Sequence, residues 1–574
     1  MRTKIIGFGF AGLVLTAGTL QAAPFAPTPD AGSLLREQEP QRMLPSDQLK
    51  KPEVEPFEEG MQPDDGVRVR VKGFSFQGYE GVITEKELNN IVASSVGQEL
   101  SFGDLQRLTN KITSVLKERG WFLSWAYLPK QDITQGIIII RVEQGKSDGT
   151  VRYNLEQAPR LKQCFLENMI GDSVAKGKAM NQKEFEKAVV LMNDIPGVIS
   201  AKASLSSGFY SGTSQIDLTV VEGPLVSGNV SEDNFGNRYT GEWRTNAQVT
   251  LNDLSGCGDK LDFTGTYSGD LRQGAINYSF PILYDGLRGN VGFKAMHYEL
   301  GKELSVYGFD GGSYEINLGL DYPIIRTRKS IMVASAGYAY RELKDQWYNG
   351  QTYRERYTND VSFGLKGERW DSILGNSYTS FRAMVTLGDL NRPVDLLGTN
   401  LAETGQFSRF NFALYHLHHL APQTTASISW TGQLAPQNLD TSEQFSLGGP
   451  YGVRAYPLGE GLGDQGQMIN VDLRYAIPVE SLRGSVQLFG FYDAGQVQLH
   501  HDLKGTNVDT ATGKNTYWLQ GAGLGVNYDY SSRFSLRGSW AHAIGKNPGR
   551  DIYGNNSDGK DDRDRFWLQA VLFF

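Results

Sequence analysis

The chain has 574 residues, 40% of them hydrophobic and 11% aromatic, with 67 glycines, two cysteines and a formal net charge of −8. A mean hydropathy of −0.37 excludes a bundle of membrane-spanning helices, each of which needs an apolar run of about 20 residues. The acidic balance leaves no electrostatic footprint for nucleic acid, and the length points to several units that one disulfide could not frame.

Arg2 and Lys4, the apolar run Ile5–Leu20 and the small residues Ala22 and Ala23 describe a cleaved secretory signal over residues 1–23. Asp30 is placed to cap a short helix through Ser33, Leu34, Leu35, Arg36, Glu37 and Gln38, which Pro40 stops; this helical segment is assigned to 30–43. Residues 44–66 carry Pro45, Pro52, Pro56 and Pro63 among charges and read as an extended linker.

Two segments of one plan follow, 67–146 and 147–223. In the first, Val67–Phe76 alternates as a strand, and Thr84 with Glu87 forms a capping box ahead of Leu88, Ile91 and Val92. A second helix runs from Ser101 to Gly120, and the strands Trp121–Leu128 and Gly136–Glu143 complete a β-α-α-β-β order. The second segment repeats it with the strand Val151–Asn154, helices Leu161–Met169 and Gln182–Asn193, and strands Ser200–Ser207 and Thr213–Glu222. One plan recurring at a period of about 75 residues implies two homologous α+β domains. Cys164 falls on the apolar side of its helix with Leu161 and Phe165, so a buried free thiol is expected there.

From residue 224 to 574 helical periodicity gives way to short alternating strands. Leu261, Phe263, Gly265 and Tyr267 alternate with polar residues, as do Phe381, Ala383, Val385 and Leu387, and Phe534, Leu536, Gly538 and Trp540. One apolar and one polar face per strand, with turns rich in Gly, Asn and Asp, is the pattern of an all-β transmembrane barrel, which must close because unpaired edge amides are not satisfied in hydrocarbon. The last strand places Phe566, Leu568, Ala570, Leu572 and Phe574 on one face. At about 20 to 24 residues per strand and loop, an even number near sixteen is expected.

Signals for chemistry are weak. His416, His418 and His419 cluster without a third ligand type nearby, and Asp558–Asp564 lacks the spacing of a calcium loop. Gly521, Gly523 and Gly525 lie in a strand pattern, away from any strand-to-helix turn, and the chain has no HExxH, GxSxG or GxxxxGK[ST]. Neither catalysis, cofactor nor metal is inferred.

Three further stretches stand out. Gly448-Gly449-Pro450-Tyr451-Gly452-Val453-Arg454-Ala455-Tyr456 opens a Gly-rich loop at about 445–467. Phe491-Tyr492-Asp493-Ala494-Gly495 ends a later strand, and Asp233-Asn234-Phe235-Gly236-Asn237-Arg238 follows the first barrel strand. With the order signal, helix, linker, two small domains and barrel, these stretches make the mature chain resemble the haemolysin secretion/activation family, the transporter component of two-partner (type V) secretion. The resemblance implies two periplasmic POTRA domains, at 67–146 and 147–223, and a sixteen-stranded outer-membrane pore. It also implies a Val-Arg-Gly-Tyr loop folded into the lumen and an N-terminal helix plugging it. That motif maps onto Val453, Arg454, Ala455 and Tyr456, with Ala455 in place of the usual glycine; the Asp-x-Gly strand motif maps onto Asp493 and Gly495, and the plug onto Leu34, Leu35 and Arg36.

Strand parity adds to this. If Val486, Leu488, Gly490 and Tyr492 face lipid, Asp493 faces the lumen, where the planar fork of Arg454 is a suitable partner. An Arg454–Asp493 ion pair pinning the loop is expected; the alternative is two solvated pore residues. The expected partner is one dedicated exported polypeptide, an adhesin, haemolysin or similar long β-helical protein. It is captured by strand addition at an edge near Thr213–Glu222 or Gly136–Glu143, strands whose bland role is to pack the two domains together. The pore is expected as a monomer or weak dimer in outer-membrane lipid, and the competing function is an assembly factor for other outer-membrane proteins.

Overall fold

The computed structural model describes residues 28–39 and 68–574, apart from 156–158, 211, 349, 372–374, 397–404, 479–482, 505 and 507. The expected signal, residues 40–43 of the helical segment and the linker lie outside the described residues. Helix α1, Ala31–Glu37, is closed by a reciprocal capping box between Asp30 and Ser33.

The first small unit contains β1 (Arg68–Arg70), β2 (Gly73–Gln77), α2 (Glu85–Val92), β3 (Glu99–Ser101), α3 (Phe102–Glu118), β4 (Trp125–Tyr127) and β5 (Ile137–Glu143). Its sheet has the order β2-β5-β4. Leu105, Thr109, Ile112 and Leu116 recur at helical spacing along α3 and are all buried. That stripe packs with Leu88 and Val92 of α2 on Phe76, Ile138, Ile140 and Val142. The strand expected over Val67–Phe76 is instead two short ones, because β1 leaves the sheet to pair with β3. Hydrogen bonds from the Arg119 guanidinium and from Thr84 hold the Glu87 carboxyl down at about 2.

The second unit holds β6 (Lys146–Asn154), α4 (Gln163–Ile170), α5 (Gln182–Asn193), β7 (Val198–Ser207) and β8 (Thr213–Glu222), with sheet order β6-β8-β7. Two expectations fail here. The strands proposed as capture edges, Thr213–Glu222 and Gly136–Glu143, are the central strands β8 and β5; β8 is hydrogen-bonded along both sides, and β5 pairs with β2 on one side and, over Arg141–Glu143, with β4 on the other. Cys164 is exposed, because Phe165, Leu166 and Ile170 define the buried side of α4 and residue 164 points away from it. The units are joined closely: Gln182 N–H donates to the Gly120 carbonyl at 2.7 Å, and Phe122 and Leu123 pack into the second core.

Among the described residues sixteen antiparallel strands, from Val226–Asp233 to Asp564–Phe573, close into a barrel. Large apolar side chains such as Phe293, Ile316, Leu318, Phe363, Leu387 and Leu473 are exposed on its outside, whereas Arg356, Asp345, Asp472 and Asp493 are buried inside. This inversion of a soluble protein suits a ring solvated by lipid. The wall is uneven: the strands from Asp310 to Ala421 have 17 to 20 residues, but the first has 8 and the last 10. His416 and His418 lie on the outward parity with exposed Phe410 and Leu414, their rings 6.3 Å apart. The second unit sits on the turns at one end of the ring. Lys162 N–H donates to the Gly256 carbonyl at 2.9 Å, Arg326 Nε donates to Asp194 at 2.6 Å, and Phe165 meets Tyr284 with ring centroids 5.6 Å apart.

Candidate functional site

The lumen is occupied by two segments, α1 and the loop that leaves the strand Thr424–Leu434 and returns at Gln465. The loop turns tightly. Gly449 has φ +109°, and a Cβ on Gly452 would lie 2.0 Å from the Leu447 carbonyl oxygen, so both positions require glycine. Val453, Ala455 and Tyr456 are buried with Phe445, Leu447, Met468, Phe491 and Leu519. Gly495 leaves room for this packing, since a Cβ there would come within 2.6 Å of Leu447. The alanine in place of the motif's glycine is matched on the wall by Gly521, where a Cβ would fall 2.5 Å from that of Ala455.

Arg454 and Asp493 meet in a forked contact: Nε donates to Oδ2 at 2.9 Å and Nη2 to Oδ1 at 2.7 Å, with the Arg454 backbone N–H donating to Oδ2 at 3.0 Å. Sequence reasoning missed the rest of this site. Nη2 also donates to Asp472 at 2.7 Å, the guanidinium lies 3.5 Å from the Phe491 ring centroid, and Trp567 Nε1 donates to the Arg454 carbonyl at 2.7 Å. Asn470 links the Asp493 carboxylate at 2.8 Å to the Gly452 carbonyl at 2.9 Å. Parity was enough to find two of these, because Asn470 pairs with Asp493 across the ladder and Asp472 lies two residues along the same face.

A second network holds α1. Leu34 and Leu35 are buried with Leu271, Met296, Tyr298 and Leu343 of the wall. Arg36 Nε donates to the Gln444 carbonyl of the loop at 3.2 Å. The Asp30 carboxylate accepts from Arg354 at 3.0 Å, Arg356 at 3.2 Å and Thr441 of the loop at 2.9 Å. Arg356, fully buried, donates in addition to Asp440 of the loop at 2.9 Å and to Asp345 of the wall at 2.7 Å. Asp345 accepts from the Ala31 N–H at 2.8 Å and the Tyr298 hydroxyl at 2.7 Å. Helix and loop approach so closely that a Cβ on Gly32 would lie 2.6 Å from the Ser442 nitrogen. Glu443 of the loop accepts from Arg409 at 2.7 Å and also pairs with Arg341. No sequence signal marked Arg356, one of many charged residues in the barrel region. Among the described residues no group of three metal-ligating side chains forms, and the arrangement is a set of charged clamps holding two inserted segments against the barrel wall.

Residues 212–528 match the family described as haemolysin secretion/activation protein ShlB/FhaC/HecB, and residues 69–145 match the POTRA domain, ShlB-type. The chain is 28% identical over 563 residues to the heme/hemopexin transporter protein HuxB of Haemophilus influenzae (strain 86-028NP), covering 95% of each. It is 22% identical over 468 residues to the outer membrane transporter CdiB of Escherichia coli O6:K15:H31, covering 78% of this chain and 75% of the relative. The solved structure of CdiB from Escherichia coli superposes with a TM-score of 0.73 at 19% identity, over 95% of both chains.

Proposed function

The chain belongs to the haemolysin secretion/activation protein family and is an outer-membrane transporter that exports a partner polypeptide met in the periplasm; we propose that the plugged barrel is its waiting state. In this reading 67–146 and 147–223 are the two domains that receive the partner, 30–43 is the plug on its 44–66 tether, and Arg454 with Asp493 pins the inserted loop. One observation carries it: α1 lies inside the closed ring, bonded to both wall and loop through Asp30. A polypeptide crosses only after α1 leaves. With no phosphate-binding loop in the sequence, the free energy that moves it comes from binding. Apolar side chains face outward on strands around the ring, so a single copy in outer-membrane lipid is sufficient.

Single-channel conductance in planar bilayers tests this, comparing the whole chain with a deletion of residues 30–66. Larger or more frequent openings in the deletion are expected. Equal, near-zero conductance in both removes the plug and shifts weight to an assembly factor without a standing channel.

A further inference from the structure

With β8 and β5 central, the free edges of the second unit belong to β6 and β7, and one position on β7 is already occupied. The Asn193 carboxamide, at the end of α5, donates from Nδ2 to the Ala201 carbonyl at 2.8 Å, and its Oδ1 accepts from the Ala201 N–H at 2.8 Å. Those are the two bonds a neighbouring strand would make, supplied here by a side chain. Backbone groups of an antiparallel strand turn alternately toward and away from the partner. Gly208 N–H donates to the Thr213 carbonyl of the hairpin, so the even-numbered residues face β8 and the odd-numbered ones face out. Ala203, Leu205 and Ser207 therefore share the outward set with Ala201, and the pairing row ends where Asn193 closes it.

That end point coincides with the mouth of the barrel. A cavity of about 1160 Å³ opens between the second unit and the ring, and Asn193, Ala201 and Ala203 line it opposite Lys260, Asn277 and Lys366. Beyond Ala201 the edge runs past Ile199 and Val198, which line the same cavity, to the turn where Gly197 abuts Asn252. The first unit carries the same device: Gln131 donates to the Ile139 carbonyl at 2.7 Å and accepts from its N–H at 2.6 Å, on the side of β5 that the three-residue β4 leaves uncovered.

We propose that Asn193 is a register stop: an extended segment of the exported polypeptide pairs with Ala203, Leu205 and Ser207 of β7 and is turned off the edge at Ala201 into the cavity. This rests on the reading that the periplasmic units receive the partner, here by strand addition. Alternating backbone donors and acceptors along three outward residues match an extended backbone and little else. Continuity of the edge with the lumen mouth identifies that backbone as the transported one. Asn193 thus acts as a positioning residue, ending main-chain pairing where onward movement must begin.

Hydrogen exchange read residue by residue, on the full chain in lipid nanodiscs, distinguishes the outcomes. The probe is a synthetic ten-residue peptide of alternating valine and threonine. In the wild type the peptide is expected to slow exchange at Ala203, Leu205 and Ser207 by about tenfold or more and to leave Ala201, already bonded, unchanged. In Asn193→Ala, Ala201 exchanges fast without peptide and slowly with it, so the paired register lengthens by two residues, about 7 Å. Ala201 remaining fast in the variant while the other three are protected overturns the register stop and leaves strand capture standing. No protection along β7 in the wild type overturns strand capture at this edge. Should lost protection throughout β8 show that the alanine variant unfolds, Asn193→Ser, too short to reach Ala201, gives the same reading.

Discussion

Replacing Arg356 with glutamine is expected to unplug the pore by a calculable amount. Arg356 bridges three carboxylates, but not all of them hold the plug. Asp345 stands beside it on the barrel wall, so that contact survives when α1 departs and favours neither state. The bonds to Asp30 of the plug and to Asp440 and Thr441 of the loop are the ones lost when both inserted segments leave. Removing one partner of a buried ion pair costs about 3–5 kcal/mol, because the remaining charge is left uncompensated. Discounting the wall contact leaves about 2–3 kcal/mol favouring the plugged state, a factor of about 30 to 150 in the open-to-closed ratio. Asp30 retains Arg354 and Thr441, so the plug is weakened without being severed. The assay is the open fraction of single channels in planar bilayers, with Arg356→Lys beside Arg356→Gln. Lysine keeps the charge but not the fork that reaches three carboxylates, and is expected to fall between the two. An open fraction for Arg356→Gln within about threefold of wild type, from correctly folded barrels, would refute the clamp as the element that closes the pore.

Other perturbations test neighbouring steps. Arg454→Lys keeps a cation but loses the bidentate fork on Asp493 and the stacking on Phe491, so the inserted loop is expected to become protease-sensitive in folded barrels, with wild-type resistance as the contrary result. Gly521→Ala places a methyl against Ala455 and should destabilise the barrel by about 1–3 kcal/mol in thermal melts. The pair Gly521→Ala and Ala455→Gly should recover most of that loss, and additive losses would show that the two sites do not touch. In the first unit Glu87 is held near 2, below its ordinary 4.5. Its stabilising contribution is full above that ordinary value and is lost as pH falls toward 2. Glu87→Gln should therefore flatten the acid dependence of hydrogen exchange in α2 across that window, whereas an unchanged profile would deny Glu87 its role.

The architecture was legible in the chain because its signals are local. Alternation of period two over the last 350 or so residues, helical spacing in α3 and α5, and the reciprocal cap of Asp30 and Ser33 each depend on residues a few positions apart. Parity placed Asp493 in the lumen, and the family resemblance placed Arg454 beside it. Tertiary structure decided what depends on order in space. Sheet order made β8 and β5 central, although their sequences read like any half-buried strand, and packing alone turned Cys164 outward. Arg356 was invisible for the same reason. It stands 326 residues from Asp30 and 84 from Asp440, and barrel lumens carry so many charges that none announces its partner. Ala455 found its compensation in Gly521, a residue that only ring closure and loop insertion bring opposite it. The sequence determined which segments become strands, helices and lumen faces; closure of the barrel around two inserted segments determined which charges meet, because ion pairs are fixed by distance and burial in space.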